Sequence, residues 1–239
     1  MEQAKGLSTM SPAMEDARNY SAWLFDALRP LLGRRVLEIG PGYGGVARLL
    51  VDAGVEYRAI DSDAAVIANL RPRLTVPADR LNVGDVTEPA WGERLRREGT
   101  DTILLLNVLE HIEDDRAFLR AAARCAPGGR LAILVPAMPA LYGTFDSQAG
   151  HFRRYAPGAL RGALAGAGLR VRSLSYFNAV GAASWLLSAR VLKLPIDSPG
   201  TARSILLYDR FVVPAARFVD PVLRLFAGQS LLASADIPA

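Results

Sequence analysis

The chain has 239 residues, of which 51% are apolar and 22% charged, a composition typical of one folded domain with a sizeable core and not of a disordered chain. The formal net charge is +4, and the arginines that supply it are scattered in ones and twos, which argues against a nucleic-acid-binding surface. A single cysteine, Cys125, excludes an intramolecular disulfide framework, and its Ala-rich helical surroundings predict a buried, inert thiol.

The N-terminal part of the chain shows no secretory pattern, because residues 1–14 are small and polar. No stretch reaches the roughly 18 uncharged apolar residues that a membrane span requires, so we expect a cytoplasmic protein. Residues 1–12 predict a loose leader, and apolar spacing predicts a helix from Met14 to Leu32. Residues 1–35 are therefore expected to form an N-terminal helical cap.

Short apolar runs alternate with helical stretches from residue 36 onward, and this alternation predicts an α/β fold with a buried parallel sheet. We expect a single domain with its core at 36–178 and 229–236, interrupted by a mostly helical insertion at 179–228. The predicted strands are 36–39, 57–60, 81–83, 102–106, 130–135, 169–176 and 230–235, and the predicted helices are 46–51, 64–70, 115–125 and 157–167.

Three glycines, Gly40, Gly42 and Gly45, satisfy the pattern G-x-G-x-x-G between the first strand and the next helix. The pattern predicts a nucleotide-like ligand at the carboxyl end of the sheet, although a dehydrogenase would show it too and a turn without a ligand stays open. Glu38 distinguishes between a dinucleotide and a cationic ligand at this turn. A carboxylate facing the turn would repel a diphosphate and attract the ammonium and sulfonium groups of S-adenosylmethionine.

Two further acids end the next two strands. Asp61 can accept hydrogen bonds from ribose hydroxyls, and Asp85 can accept one from an adenine amino group. Either residue alone also fits a turn or a helix cap, and for Asp63 we favour the cap. Three acids at three successive strand ends together predict a nucleoside-type cofactor.

Five motifs, taken in chain order, resemble those of class I S-adenosylmethionine-dependent methyltransferases. They are VLEIGPGYG at 36–44, Asp61, Gly84-Asp85-Val86, NVLEHI at 107–112 and PGGRL at 127–131. The resemblance implies a Rossmann-like, doubly wound sheet of seven mostly parallel strands, with the last strand antiparallel. It implies that Glu38 and Gly40 hold the methionine end of the cofactor, Asp61 the ribose, and Asp85 with Val86 the adenine. Asn107 would lie near the transferred methyl group. The full predicted cofactor set is Glu38, Gly40, Gly42, Asp61, Ser62, Asp85, Val86 and Asn107.

Residues 107–112 are similar to the ubiquinone-biosynthesis type of small-molecule methyltransferase, and 136–155 resemble a looser bacterial group. We therefore expect methylation of a small-molecule acceptor, with oxygen favoured, in secondary metabolism or in glycoconjugate or quinone-type biosynthesis. Nitrogen or carbon methylation with the same cofactor site is the alternative. An NAD(P)-dependent oxidoreductase, against which Glu38 argues, and a cofactor-binding pseudoenzyme also stay open.

Both histidines of the chain are candidate general bases, since neutral histidine is the commonest base for a hydroxyl proton. His111 follows the fourth strand, and His151 lies in the irregular segment 137–156, with Tyr155 as a third candidate. The plainer interpretations are a helix-start histidine bonded to backbone for His111 and a solvated loop residue for His151. Arg153 and Arg154 beside His151 fit either a clamp on an anionic acceptor or a surface pair.

The insertion at 179–228 carries apolar stripes, with arginines spaced seven apart at 210, 217 and 224. Such a helix can cover an acceptor site, form a homodimer face or lie on an anionic membrane, of which the membrane surface is not favoured. Pro214 and Pro221 are expected to kink or break it. No metal is expected, because Asp114 and Asp115 fit a helix N-terminus better than a metal site.

Overall fold

The computed structural model of the chain describes residues 6–186, 195 and 198–239. The predicted N-terminal cap at 1–35 and the predicted insertion at 179–228 therefore lie partly outside the described residues, at 1–5 in the first case and at 187–194, 196 and 197 in the second.

A seven-stranded sheet forms the centre of the molecule, in the order β3-β2-β1-β4-β5-β7-β6. Its first five strands run parallel, and β7 pairs antiparallel with both β5 and β6. This confirms the predicted mostly parallel, doubly wound sheet with an antiparallel last strand. The strands are β1 (Arg35–Ile39), β2 (Glu56–Asp61), β3 (Leu81–Val83), β4 (Thr102–Leu106), β5 (Arg130–Pro136), β6 (Arg170–Phe177) and β7 (Ser230–Asp236).

Helices cover both faces of this sheet. Within the described ranges they are α1 (Arg18–Leu28), α2 (Gly45–Asp52), α3 (Ala64–Leu70), α4 (Pro89–Arg97), α5 (Asp115–Ala123), α6 (Thr144–Gln148), α7 (Pro157–Gly166), α8 (Ala179–Trp185), α9 (Pro199–Leu207) and α10 (Val213–Leu223). Neither α4 nor α6 is predicted from the sequence. The first has four charged residues among its nine, and the second is barely longer than one turn. None of the described helices combines the length and apolar character needed to cross a membrane.

Alternate residues of β1 pack into different cores, as the period of a strand requires. Leu37 and Ile39 join a cluster beneath α5 and α7, and this cluster also buries Cys125, as predicted. Val36 joins the cluster on the other face, together with Leu50 of α2 and residues of α1 and α10. Both faces of the central strands are therefore buried, which explains their nearly continuous apolar sequence.

The predicted helix from Met14 to Leu32 is shorter in the structure. A 3-10 turn ends at Asp16, Ala17 leaves the helical region at φ −75° and ψ 66°, and α1 begins only at Arg18. Asp209 explains this start, because its carboxylate accepts hydrogen bonds from the backbone N–H groups of Asn19 at 3.2 Å and Tyr20 at 2.7 Å. A residue 190 positions away thus supplies the cap that α1 lacks locally.

Of the two effects predicted for Pro214 and Pro221, a kink or a break, the break does not occur. Pro214 lies in the first turn of α10, directly after a wider, π-helical turn at Tyr208–Val212. A turn of that kind absorbs the missing backbone donor without ending the helix. Pro221 lies in the last turn of α10, and Asp220 beside it accepts the backbone N–H of Ala179 at 2.7 Å, which ties α10 to the start of α8.

Candidate functional site

A cavity of about 720 Å³ opens at the carboxyl ends of β1, β2, β3 and β4, the edge at which open α/β sheets bind ligands. We call it the cofactor cavity. Seven of the predicted cofactor residues line it, and Glu38 is the exception. The seven are Gly40, Gly42, Asp61, Ser62, Asp85, Val86 and Asn107.

The glycine turn after β1 lets the backbone approach this cavity closely. Gly40 has φ +73° and its N–H donates to the carbonyl of Ile60 at 3.0 Å. A Cβ atom at Gly40 would lie 2.6 Å from Cγ2 of Val108, so a side chain there would clash as well as strain the backbone. Gly42 has φ +55°, again in the left-handed region. The turn therefore requires glycine at both positions.

The strand-end acids are held by backbone hydrogen bonds. Oδ1 of Asp61 accepts the N–H of Asp63 at 2.8 Å, and Oδ1 of Asp85 accepts the N–H of Thr87 at 2.8 Å. Burial raises the pKa of Asp61 to about 6, which leaves it mostly ionised at neutral pH and able to accept two hydroxyl groups. Asp63 accepts the N–H of Ala65 at 2.8 Å, which confirms its interpretation as a helix cap.

Glu38 does not face the cofactor cavity, contrary to prediction. The alternation of β1 places its side chain on the face opposite Ile39, where it is buried and its Oε2 accepts the hydroxyl of Tyr57 at 2.6 Å. Burial raises the pKa of Glu38 to about 8, so the carboxyl is largely protonated at neutral pH. The premise that this side chain is oriented toward the ligand is therefore wrong.

A second cavity of about 260 Å³ adjoins the first, and we call it the acceptor cavity. Met10, Asn107 and His111 line both cavities and mark their boundary. Asn107 has φ +54°, a left-handed conformation that asparagine tolerates better than most residues. The remaining walls come from the N-terminal segment, α6, α8 and α9, and include Met14, Tyr20, Phe145, Trp185, Thr201 and Ile205.

A hydrogen-bonded carboxylate–histidine pair lies at the acceptor cavity. Nδ1 of His151 lies 2.8 Å from Oδ1 of Asp146, which also accepts Nε of Arg154 at 2.8 Å, while Oδ2 accepts the N–H of Gly143 at 2.9 Å. Burial alone would raise the pKa of Asp146, but its bonds to His151, Arg154 and Gly143 outweigh this and lower the pKa. An ionised Asp146 accepts a hydrogen bond from the protonated Nδ1, which leaves Nε2 of the neutral His151 ring free to accept a proton.

Glu110 and His111 complete this cluster. Glu110 is fully buried, burial raises its pKa to about 8, and neither carboxyl oxygen reaches a hydrogen-bond partner on another described residue. Burial first, and then His151, lower the pKa of His111 to about 4, so it is neutral at physiological pH. The two imidazole rings meet edge to face with centroids 4.7 Å apart.

Glu110, His111 and His151 also form a set that could hold a metal ion, a site the sequence does not predict. Each offers one ligand atom, and these atoms lie within 4.8 Å of one another. Two imidazoles and a carboxylate are a known ligand set for divalent transition metals. The separation of 4.0 Å between Nε2 of His151 and Oε1 of Glu110 would have to shorten for both to bind one ion.

Comparison with known proteins identifies the family. The family model described as a methyltransferase domain matches residues 12–174, more than half of the chain. The chain belongs to this family. As a class I S-adenosylmethionine-dependent methyltransferase, it uses S-adenosylmethionine as its cofactor, which argues against the oxidoreductase alternative.

Curated relatives agree with this assignment, and solved structures share the fold. A ubiquinone biosynthesis O-methyltransferase of Caulobacter sp. is 33% identical over 109 residues, covering 44% of this chain and 41% of the relative. The chain thus spans about half the length or less of the curated relatives it matches. A methyltransferase of Haloferax volcanii, solved in complex with the Trm112 activator, superposes with a TM-score of 0.63 at 20% identity, covering 95% of this chain and 92% of that one. A phosphoethanolamine N-methyltransferase of Haemonchus contortus, solved with S-adenosylmethionine, has a TM-score of 0.58 at 15% identity, covering 94% and 57%.

Neither Tyr155, a predicted catalytic residue, nor Arg153 lines either cavity of this methyltransferase. The Tyr155 side chain is buried, and its hydroxyl donates to Oδ2 of Asp115 at 3.0 Å. Arg153 donates to the same oxygen at 3.1 Å, so the structure gives neither residue a contact that supports its predicted role. Arg154 lines the acceptor cavity and is not part of a surface pair. Its guanidinium is buried between Asp146 and Trp185, with Cζ 4.5 Å from the centroid of the indole ring. The helix-start role of Asp114 and Asp115 is confirmed, since Asp114 caps α5.

Several site residues of the methyltransferase are missed by sequence reasoning. A Cβ atom at Gly42 would lie 2.5 Å from Cε of Met10, so the segment predicted as a loose leader contacts the glycine turn. Asn178, with φ +59°, accepts the hydroxyl of Tyr208 at 2.7 Å beneath the acceptor cavity. These contacts join distant parts of the chain, so no local pattern reveals them. The sequence does contain a signal for Glu110, because this residue directly precedes the candidate base His111.

Proposed function

We propose that this methyltransferase transfers the methyl group of S-adenosylmethionine to a hydroxyl oxygen of a small molecule held in the acceptor cavity. The observation that carries the proposal is the Asp146–His151 pair on the wall of a cavity that adjoins the cofactor cavity. A base with its proton-accepting nitrogen fixed in this way fits removal of a hydroxyl proton. The ubiquinone biosynthesis O-methyltransferase among its relatives supports oxygen as the acceptor atom.

The proposed step is an in-line displacement at the boundary of the two cavities, beside Asn107 and His111. As Nε2 of His151 takes the hydroxyl proton, the oxygen forms a bond to the methyl carbon and the carbon–sulfur bond breaks. Sulfur keeps the electron pair, which leaves neutral S-adenosylhomocysteine. The resulting imidazolium is stabilised by ionised Asp146. The chain contributes mainly by holding oxygen and methyl carbon about 3 Å apart and by excluding water.

Neutral His111 and Glu110 give the cavity its polar end. Because the pKa of His111 is lowered to about 4, His111 places no positive charge beside the sulfonium of the cofactor at neutral pH. Glu110 in its protonated form can donate a hydrogen bond to the acceptor, and this contact would satisfy a carboxyl that has no partner on another described residue. Both residues therefore position the acceptor in this proposal, while His151 moves the proton.

The test measures cofactor binding and methyl transfer separately. Production of S-adenosylhomocysteine is followed with a panel of phenols, catechols and quinols, and products are checked by mass spectrometry for an O-methyl group. His151→Ala is expected to lower turnover by about 10²- to 10⁴-fold and to leave the affinity for S-adenosylhomocysteine unchanged. Asp146→Asn should act in the same direction, because it no longer fixes the proton on Nδ1. Wild-type turnover in His151→Ala would remove this residue from the mechanism.

Nitrogen methylation is the second candidate, and Glu110 is the observation that favours it. A buried carboxyl without a partner could pair with the ammonium group of an amine acceptor, which would lower its raised pKa and hold the nitrogen in place. In that case amines in the panel would give N-methyl products, and Glu110→Gln would raise the KM for the amine more than it lowers kcat. An unchanged KM for the amine in that variant would reject nitrogen methylation, and O-methylation would remain as the proposed reaction.

A further inference from the structure

A large apolar surface lies on the outer side of the helical segment that follows β6. The side chain of Phe218 is 81% exposed, Phe226 78%, Leu225 73%, and Phe211 and Val222 63% each. We call these five residues the apolar face. Single exposed apolar residues are ordinary on a protein surface, but five large ones within 16 positions form a patch of the kind that marks an interaction site.

Positive charge predominates beside the apolar face. Residues 198–228 contain four arginines, at 203, 210, 217 and 224, and two acids, Asp209 and Asp220. Both acids are buried and accept backbone hydrogen bonds from distant segments, Asp209 at the start of α1 and Asp220 at the start of α8. The segment itself therefore contributes arginines and apolar side chains but no exposed carboxylate, and one of its arginines, Arg217, is paired with the exposed Asp26 of α1 at 2.9 Å.

This charge pattern distinguishes among the occupants that the sequence allows. The exposure of Phe218 and Phe226 excludes core packing as the role of these side chains. A symmetric homodimer built on this face would bring the arginines of one copy close to those of the other, and Asp26, which already pairs with Arg217, would offset only part of that repulsion. An anionic lipid surface, in contrast, offers an apolar phase for the phenylalanines and phosphates for the arginines.

We propose that the apolar face of α10 and its flanking turns binds the surface of an anionic lipid bilayer. The helix would lie in the plane of the interface, with Phe211, Phe218 and Phe226 entering the acyl boundary and the arginines at headgroup level. The preceding helix α9 lines the acceptor cavity through Thr201 and Ile205. The proposal does not depend on which acceptor is methylated.

Sedimentation of the full chain with vesicles tests the proposal. The wild type is expected to bind vesicles of equal parts phosphatidylcholine and phosphatidylglycerol, and to bind pure phosphatidylcholine much more weakly. Phe218→Ser with Phe226→Ser should reduce the partition coefficient about 100-fold, or about tenfold for each phenylalanine. Arg203→Glu with Arg210→Glu should reduce it by about 25-fold or more, since each arginine near the headgroups contributes about fivefold.

The matched control is Arg96→Glu with Arg161→Glu, which makes the same change in net charge on exposed residues of α4 and α7, across the sheet. This control should bind anionic vesicles nearly as well as the wild type. Thermal unfolding should be unchanged in all three variants, because the altered side chains are exposed. No binding of the wild type to anionic vesicles overturns the proposal, and so does an equal loss in the control. A wild-type dimer that Phe218→Ser dissociates would assign the face to a second copy and overturn it as well.

Discussion

Replacing Glu38 by glutamine tests the structure against the sequence-based interpretation of this residue. In the structure the carboxyl is buried, accepts the hydroxyl of Tyr57 and is largely protonated at neutral pH. Glutamine has nearly the same shape, can accept the same hydrogen bond and does not titrate. We therefore expect Glu38→Gln to bind S-adenosylhomocysteine as the wild type does and to change the pH dependence of stability.

The sign and size of that change follow from the pKa of Glu38, which burial raises from 4.5 to about 8. Between these values the folded state holds a proton that the unfolded state has lost, so stability falls as pH rises through this window. From about pH 5.5 to about pH 8 this carboxyl lowers the free energy of unfolding by about 3 kcal/mol. The glutamine variant should lack that loss.

Urea unfolding at both pH values measures the effect, with titration calorimetry of S-adenosylhomocysteine alongside. Glu110 titrates in the same window and is present in both proteins, so the difference between wild type and variant isolates Glu38. The reasoning is refuted if Glu38→Gln loses cofactor affinity about tenfold while its pH dependence matches the wild type. That result would mean that the Glu38 carboxylate is ionised and contacts the cofactor.

Three further outcomes are expected. Tyr155→Phe should leave methyl transfer unchanged and lower the free energy of unfolding by about 1 kcal/mol, because its hydroxyl bonds Asp115 and lines no cavity; a large loss of turnover would return it to the mechanism. Gly40→Ala should weaken S-adenosylhomocysteine binding in calorimetry, since its Cβ atom would clash with Val108, and full affinity would show that the turn can rearrange. Turnover should survive EDTA, because metals bind deprotonated ligands and the raised pKa of Glu110 keeps it largely protonated; activity lost to EDTA and restored by zinc or manganese would contradict this.

The parallel part of the fold was predictable because its strands are short, apolar and flanked by turn residues. The strand at 81–83 and the strand at 102–106 have the predicted bounds, and each of the other strands differs by one residue at one or both ends. The start of α1 was not predictable, because Asp209 that caps it lies 190 positions away. The continuous course of α10 through its prolines depends on a π-helical turn that has no sequence signature.

The cofactor cavity followed from its motifs, whereas the acceptor cavity required the tertiary structure. Residues such as Gly40 and Asp61 are placed by the strand ends they follow, so their convergence could be inferred. Glu38 was assigned to the ligand by motif position, although the period of β1 already placed it opposite Ile39. The partners of His151 include Asp146, nearby in sequence, but also Glu110, which only folding brings close.

The left-handed backbone of Asn107 has a consequence for how this enzyme can change its acceptor. Few side chains other than glycine and aspartate tolerate that conformation, so the position shared by the two cavities has little freedom to vary. Trp185 and Ile205, on ordinary helices at the far wall, carry no such constraint. Libraries intended to broaden the range of acceptors should randomise those two positions and keep the asparagine.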